Sequence, residues 1–481
     1  MSEGQTRRDF LTTVGLGVAG AAVSRNAAAE PPMKADPGQS APAGDVEVWI
    51  TSGDRRFSRA SSLKWKRTSS PEPGDALVLA PEKKFQAILG FGAAFTDAAC
   101  YMFHQLSDSD REALFHKLFH PSEMNLSVCR TCIGSSDYST KVYSFDEGDP
   151  DPELTRFSID HDREYILPTL REARKANPDL FLFSSPWSPP GWMKANGSML
   201  GGSMREKYMP SYAQYFLKFL QGYAAEGVSV QAVTIQNEVD TDQDGRMPAC
   251  LWGQEYEVAF VAKHLGPLFA SNKIDTKIWI IDHNYNLWGR AICELQSPGV
   301  RDYTNAIAWH GYVGEAAWIQ KVSQAYPDVD MHWTEGGPDY TAPDYATDWS
   351  EWGKIFTTIL RNGCCSITGW NLALDEQGRP NIGPFSCGGL VTIDSRTKEI
   401  SRSGQFWALA HYSSLVRRDA RRFDSESAAL NLHHVAFENS DGQRVLIVSN
   451  PGAARRCEIR MGASGLSCSL DADSVTTLAW R

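Results

Sequence analysis

The chain has 481 residues, with 47 Lys and Arg against 58 Asp and Glu, a net charge of -11 and 10 cysteines. The acidic balance argues against nucleic acid as a partner, since replacing counterions on phosphates needs surplus basic charge. Ten cysteines in a chain this long are not a disulfide framework, and its aromatic load (15 Trp, 16 Tyr, 21 Phe) suits a large core or a site that meets the flat apolar faces of sugars.

Residues 1–29 read as an export address. Arg7-Arg8-Asp9-Phe10-Leu11 precedes a weakly apolar run from Leu11 to Val23 and then Ala27-Ala28-Ala29, which resembles a twin-arginine signal. The run is about 13 residues, short of the roughly 20 that span a bilayer, and no later segment is apolar enough to do so. A periplasmic or extracellular location is therefore expected. Residues 30–45, rich in Pro, Ala and Gly, read as a flexible linker.

Residues 46–80 carry short β-type pieces (VEVWI, DALVLA) separated by turn-forming clusters. Residues 81–415 change character. Eight apolar runs, ILGFGAAF, LSVCRTCIG, LFLFSSPW, VQAVTIQNE, KIWIIDHN, AIAWHGY, DMHWTEGG and SITGWNLAL, alternate with longer helical stretches such as Ser211 to Glu226. Near-continuous hydrophobicity is what parallel strands buried on both faces require, and eight strand-helix units specify a closed (β/α)8 TIM barrel of the α/β class. A doubly wound sheet is the rival, and the count of eight weighs against it. Residues 416–481 return to β-type pieces, so the terminal strands are expected to pair in one satellite β-sandwich. Cys129-x-x-Cys132 has redox or zinc spacing, but it lies inside an apolar run without a second pair, and no metal site is expected there.

Barrel active groups project from the C-terminal strand ends. Those ends offer Asp137, Trp187, Asn237, Glu238, His283, Asn284, His310, Tyr312, Glu335, Trp370 and Asn371. Glu238 and Glu335 stand out, because a charge closing an apolar strand is costly unless it faces the mouth. Strands 4 and 7 lie on opposite sides of that mouth. A carboxylate pair about 5 to 5.5 Å apart would suit retaining glycoside hydrolysis, with one member protonated and the other ionised.

SPWSPPGWMKANG (Ser185 to Gly197), AVTIQNEV (Ala232 to Val239), HWTEGG (His332 to Gly337) and GWNLAL (Gly369 to Leu374) resemble glycoside hydrolase family 30, the family of acid β-glucosidase (glucosylceramidase). The resemblance runs from about Ala80 to the C-terminus. It implies a retaining β-glycosidase acting without metal or organic cofactor, with Glu238 as acid/base and Glu335 as nucleophile. Asn237 would contact the substrate 2-hydroxyl. Asp137 would hold sugar hydroxyls at the terminal subsite, and Arg130 would be a structural arginine beneath the site. Trp187 and Trp370 would be aromatic walls, with His310 and Tyr312 beside the nucleophile. Two departures stand out: Val239 replaces the family's usual Pro, and the loop Asp240 to Ala249 is acidic.

The substrate class implied is a β-glucoside, glucosylceramide-like, or a β-glucan, with a β-1,6-glucanase as the alternative. Xylan is less favoured, because Asp137 suits a sugar bearing a 6-hydroxymethyl group. A non-catalytic carbohydrate-binding barrel, or a surface protein whose β-domain carries the function, would be readings of another class; retention of both glutamates speaks against a pure binder.

Overall fold

The computed structural model describes residues 44–68 and 75–481. The expected export signal and all of the linker up to residue 43 lie outside the described residues. Eight strands, β5 (Gly90–Phe95), β6 (Val128–Cys132), β7 (Phe181–Ser185), β8 (Ala232–Thr234), β9 (Lys277–Asn284), β10 (Thr304–His310), β11 (Asp330–Glu335) and β12 (Cys364–Gly369), close into a barrel in chain order, every pairing parallel. Six lie within the apolar runs, β10 and β12 begin two residues before theirs, and nearly all of the strand residues are buried. Where β5 passes β6, a Cβ on Gly92 would fall 1.9 Å from the Val128 carbonyl oxygen, so only glycine permits that approach.

Four strands precede the barrel: β1 (Asp45–Ser52), β2 (Arg55–Lys64), β3 (Lys66–Arg67) and β4 (Leu77–Ala87). After β12 comes a small sheet of β13 (Ala373–Leu374), β14 (Val391–Ile393) and β15 (Ile400–Arg402), whose Leu374 shares a buried cluster with Trp187 and Trp370. Six more strands follow: β16 (Arg421–Glu426), β17 (His433–Glu438), β18 (Arg444–Asn450), β19 (Arg455–Met461), β20 (Ser464–Leu470) and β21 (Ser474–Trp480). The terminal strands interleave in the order β2-β1-β21-β18-β17-β16-β4-β19-β20-β3. The satellite β-sandwich is thus built from both ends of the chain, as one ladder that curls over Val46, Leu79, Phe423, Leu446, Leu478 and Trp480. Its first segment runs further than expected, since β4 continues past residue 80 and Ala87 pairs with Arg421.

The sandwich is fixed to the barrel by two helices. Trp349–Arg361 packs on β17, β18 and β21, with Trp349 Nε1 donating to the Asp473 carbonyl at 2.8 Å. From helix Gly404–Ser413, buried His411 bridges Thr477 of β21 and Thr51 of β1 at 2.8 and 2.9 Å. All ten cysteines are free thiols, and burial pushes the Cys129 thiol up to about 12 and raises that of Cys132, which leaves both unreactive. No described helix is long and apolar enough to cross a membrane.

Candidate active site

Arg130, fully buried on β6, is the hub of the mouth. Its Nη1 donates to Glu335 Oε2 at 2.8 Å, its Nη2 to Asp282 Oδ2 at 2.7 Å and to Asn237 Oδ1 at 2.9 Å, and its Nε to Ser185 Oγ at 3.1 Å. One guanidinium thereby ties β6 to β7, β9, β11 and the segment after β8. Unpaired, such a buried charge would be expensive; two carboxylates compensate it. Tyr312 donates to the other oxygen of Glu335 at 3.0 Å. A guanidinium on one oxygen and a phenol on the other thus fix the position of the Glu335 side chain.

Glu238 follows β8 in a left-handed backbone conformation (φ 55°), its amide donating to the Asp282 carbonyl at 3.0 Å. Gln243 Nε2, from the acidic loop, donates to Glu238 Oε2 at 2.6 Å. The other oxygen, Oε1, faces two imidazoles, His310 Nδ1 at 3.5 Å and His283 Nδ1 at 3.8 Å. The far nitrogen of each ring meets a carboxylate: His310 Nε2 lies 3.0 Å from Asp282 Oδ1 and His283 Nε2 lies 2.5 Å from Asp240 Oδ1. Burial alone would lower the His310 pKa, but the Glu335 charge and the Asp282 and Glu238 contacts override it and raise it to about 9. Asp282 shows the reverse balance: burial is outweighed by Arg130 and by donors from His310 and Thr234, and its carboxyl is held far below the usual range.

The remaining expected residues are placed as follows. Asn237 gives its oxygen to Arg130, so its amide NH2 is left to donate. Asp137 is buried beneath the loop after β13; its carbonyl accepts from Ile382, and a Cβ on Gly383 would come within 2.6 Å of its side chain. Trp187 and Trp370, expected as aromatic walls, lie together. Their rings stack on each other with centroids 5.0 Å apart, and the Arg130 guanidinium lies 4.6 Å from the Trp187 ring. Trp370 Nε1, buried without a hydrogen-bond partner, is a donor available to a ligand hydroxyl. Asn284 supports the site indirectly, since its oxygen accepts from the amides of Tyr312 and Val313 at 3.0 and 3.1 Å. Asn371 accepts from Thr96 at 2.9 Å, below the mouth.

Two contributors were missing from the sequence reading. Asp282 sits at the centre of the polar network, receiving Arg130, Thr234 and Thr334 and contacting His310. Its signal was present as an acid within the apolar run KIWIIDHN, the feature that marked the two glutamates. Gln243 carried no signal beyond its place in the loop.

The arrangement brings one carboxyl group clamped by fixed donors and a second with adjustable partners to one mouth, the elements of acid-base and nucleophilic work. Residues 88–416 match the glycosyl hydrolase family 30 TIM-barrel domain, and residues 419–478 match that family's beta sandwich domain. The chain is 30% identical over 439 residues to an endo-1,6-beta-D-glucanase of Neurospora crassa, covering 86% of this chain and 90% of the relative. It is 28% identical over 421 residues to the lysosomal acid glucosylceramidase of Mus musculus, covering 83% and 81%. A solved structure, the endo-beta1,6-glucanase BT3312, superposes with a TM-score of 0.82 at 27% identity, covering 91% of this chain and all of that one.

Proposed function

Because the chain belongs to glycosyl hydrolase family 30 and is a glycosidase, we propose that it cleaves β-D-glucosidic bonds with retention, by double displacement, and that its substrate is a β-1,6-linked glucan. The observation that carries the reading is the clamped Glu335: a side chain held by Arg130 on one oxygen and Tyr312 on the other is aimed and rigid, as an attacking group must be. Glu335 adds to the anomeric carbon while Glu238, protonated, gives its proton to the leaving oxygen. Glu238 then takes a proton from the water that hydrolyses the glucosyl-enzyme. Asn237 donates from its NH2 to the sugar 2-hydroxyl, and Asp137 and Trp370 Nε1 take further hydroxyls.

The glucan preference is supported by the two β-1,6-glucanase relatives and by the polar rim after Glu238, where Asp240, Asp242 and Gln243 would face a hydrated chain rather than a lipid. The twin-arginine motif adds to it, as an exported enzyme meets glucan outside the cytoplasm. A second reading, glucosylceramide, has its own observation: a cavity of about 300 Å³ beside Tyr312 and Gly336, walled by Trp333, Trp352, Ile355 and Ile359, offers apolar area to a lipid aglycone. Product analysis on β-1,6-glucan, glucosylceramide and glucuronoxylan side by side decides between them, with glucan oligosaccharides expected.

Glu335→Gln is expected to lower turnover by roughly 10³-fold or more without loss of fold; unchanged turnover would remove the nucleophile assignment. Azide added to Glu335→Gly is expected to restore cleavage with inverted anomeric configuration, as a small anion takes the place of the missing carboxylate.

A further inference from the structure

We propose that Glu238, His283 and His310 form a zinc site, and that a bound Zn²⁺ switches the enzyme off by occupying its acid/base. The three come from consecutive positions around the barrel, after β8 and at the ends of β9 and β10. All are buried, and one ligand atom from each lies within 4.8 Å of the others. Glu238 Oε1 is 3.5 Å from His310 Nδ1 and 3.8 Å from His283 Nδ1, and neither nitrogen has a hydrogen-bond partner other than Glu238. Zinc bonds to nitrogen and oxygen of about 2.0–2.2 Å place tetrahedral ligands about 3.3–3.5 Å apart, so side-chain shifts of about 1 Å bring three atoms that lie within 4.8 Å of one another onto one ion.

The outer contacts point the same way. Ligating imidazoles ordinarily donate their second N–H to a carboxylate, which fixes the ring and turns the other nitrogen toward the metal. Both rings are held in that manner, His310 by Asp282 and His283 by Asp240. Two imidazoles and one glutamate, with a fourth position left for water, are an open zinc ligand set, and imidazole nitrogen favours zinc over magnesium or calcium. On binding, the ion replaces any proton shared between His310 and Glu238, which passes to solvent. Glu238 can then neither protonate a leaving oxygen nor accept a proton from water.

Binding is independent of the proposed hydrolysis; inhibition rests on it. The full chain, stripped with chelator and freed of it, is titrated with Zn²⁺ by calorimetry and with Co²⁺ by visible absorption. One ion per chain is expected, with Co²⁺ bands of a four-coordinate site. Asp240→Asn keeps all three ligands and is expected to weaken binding about 10-fold, and His283→Ala by more, with circular dichroism and melting temperature verifying the fold. No saturable binding below about 1 mM, or binding unchanged in both variants, overturns the proposal. In the same samples, Zn²⁺ is expected to suppress cleavage of an aryl β-glucoside, with reversal by chelator, over the range in which it binds. Binding with undiminished cleavage overturns the switch, whereas binding by a protein that cleaves no glycoside leaves the metal site standing and refutes the hydrolytic reading.

Discussion

Arg130 has no substitute in the chain's own terms. A lysine at that position would offer one point charge where the guanidinium reaches Glu335, Asp282 and Asn237 in three directions. Tyr312 carries a smaller share. Tyr312→Phe removes one hydroxyl from Glu335 Oε1 and is expected to lower kcat roughly 10-fold, the worth of a hydrogen bond to a charged group, while leaving thermal stability within a degree or two; steady-state kinetics and a melting curve check both. Asp282→Asn acts differently, since it leaves Arg130 with a single counter-charge. It is expected to destabilise the fold by about 3–5 kcal/mol in urea unfolding, the cost of breaking a buried pair. Glu238 and Glu335 were legible in the sequence because a charge closing an apolar run has few places to go. The stacked indoles were not, since nothing in the spacing of Trp187 and Trp370 says whether two aromatics face a ligand or each other.

At the scale of the strand, alternation explains why Asp282 escaped notice. If His283 points into the mouth, its neighbour should point away. The structure departs from that rule at a bulge. Ile281 pairs with Ala308 and His283 with Trp309, so two steps on β9 answer one on β10, and Ile281 and Asp282 take left-handed φ values of 75° and 45°. A matching shift between Trp309 and His310 lets Thr334 and Glu335 of β11 both turn inward. Left-handed backbone at a β-branched residue is strained, and here it is held from outside: Glu257 Oε1 accepts the Ile281 amide at 2.8 Å, and Arg290 fixes the other oxygen of Glu257 at 2.7 Å. Glu257→Ala should therefore lower kcat although the residue never nears substrate. The expected loss is about 1–3 kcal/mol of stability together with reduced turnover, and full activity at reduced stability would show the bulge to be self-supporting. The eight barrel strands were readable because burial on both faces makes them continuously apolar. The second half of β4 was not, because its Glu82 to Phe85 are exposed on the satellite sheet and carry the polarity of a loop.

For the molecule as a whole, acid is the condition to which the fold is most sensitive. His332 in the barrel, His411 between the domains and His434 in the sandwich are each pushed down to about 3 by burial, from an ordinary 6.5. Between those values the unfolded chain binds protons that the folded chain refuses, so their contribution is complete above pH 6.5 and drains away as pH falls toward 3. The carboxyls of Asp162, raised to about 7, and of Asp146, Glu294 and Asp330, also raised by burial, slope oppositely over much of that range, while those of Asp97 and Asp282, held low by their partners, slope with the imidazoles. The urea midpoint is expected to be clearly lower at pH 4 than at pH 7, and equal midpoints would contradict the assignment of these imidazoles as neutral.

The interleaved ends have a further consequence. Glu47 pairs with Ala479, so β1 waits for a partner that the ribosome makes only after the whole barrel. Until then its edge is bare, and the Thr51–His411–Thr477 bridge that fastens the sandwich to the barrel lacks one side. The satellite sheet therefore closes only once the barrel between its two halves has been made, and a chain lacking β21 leaves a barrel whose clasp is open. By the same geometry, the start of β1 lies beside the end of β21, so a short connector can join those two strands and the chain be reopened at a surface turn with the architecture preserved.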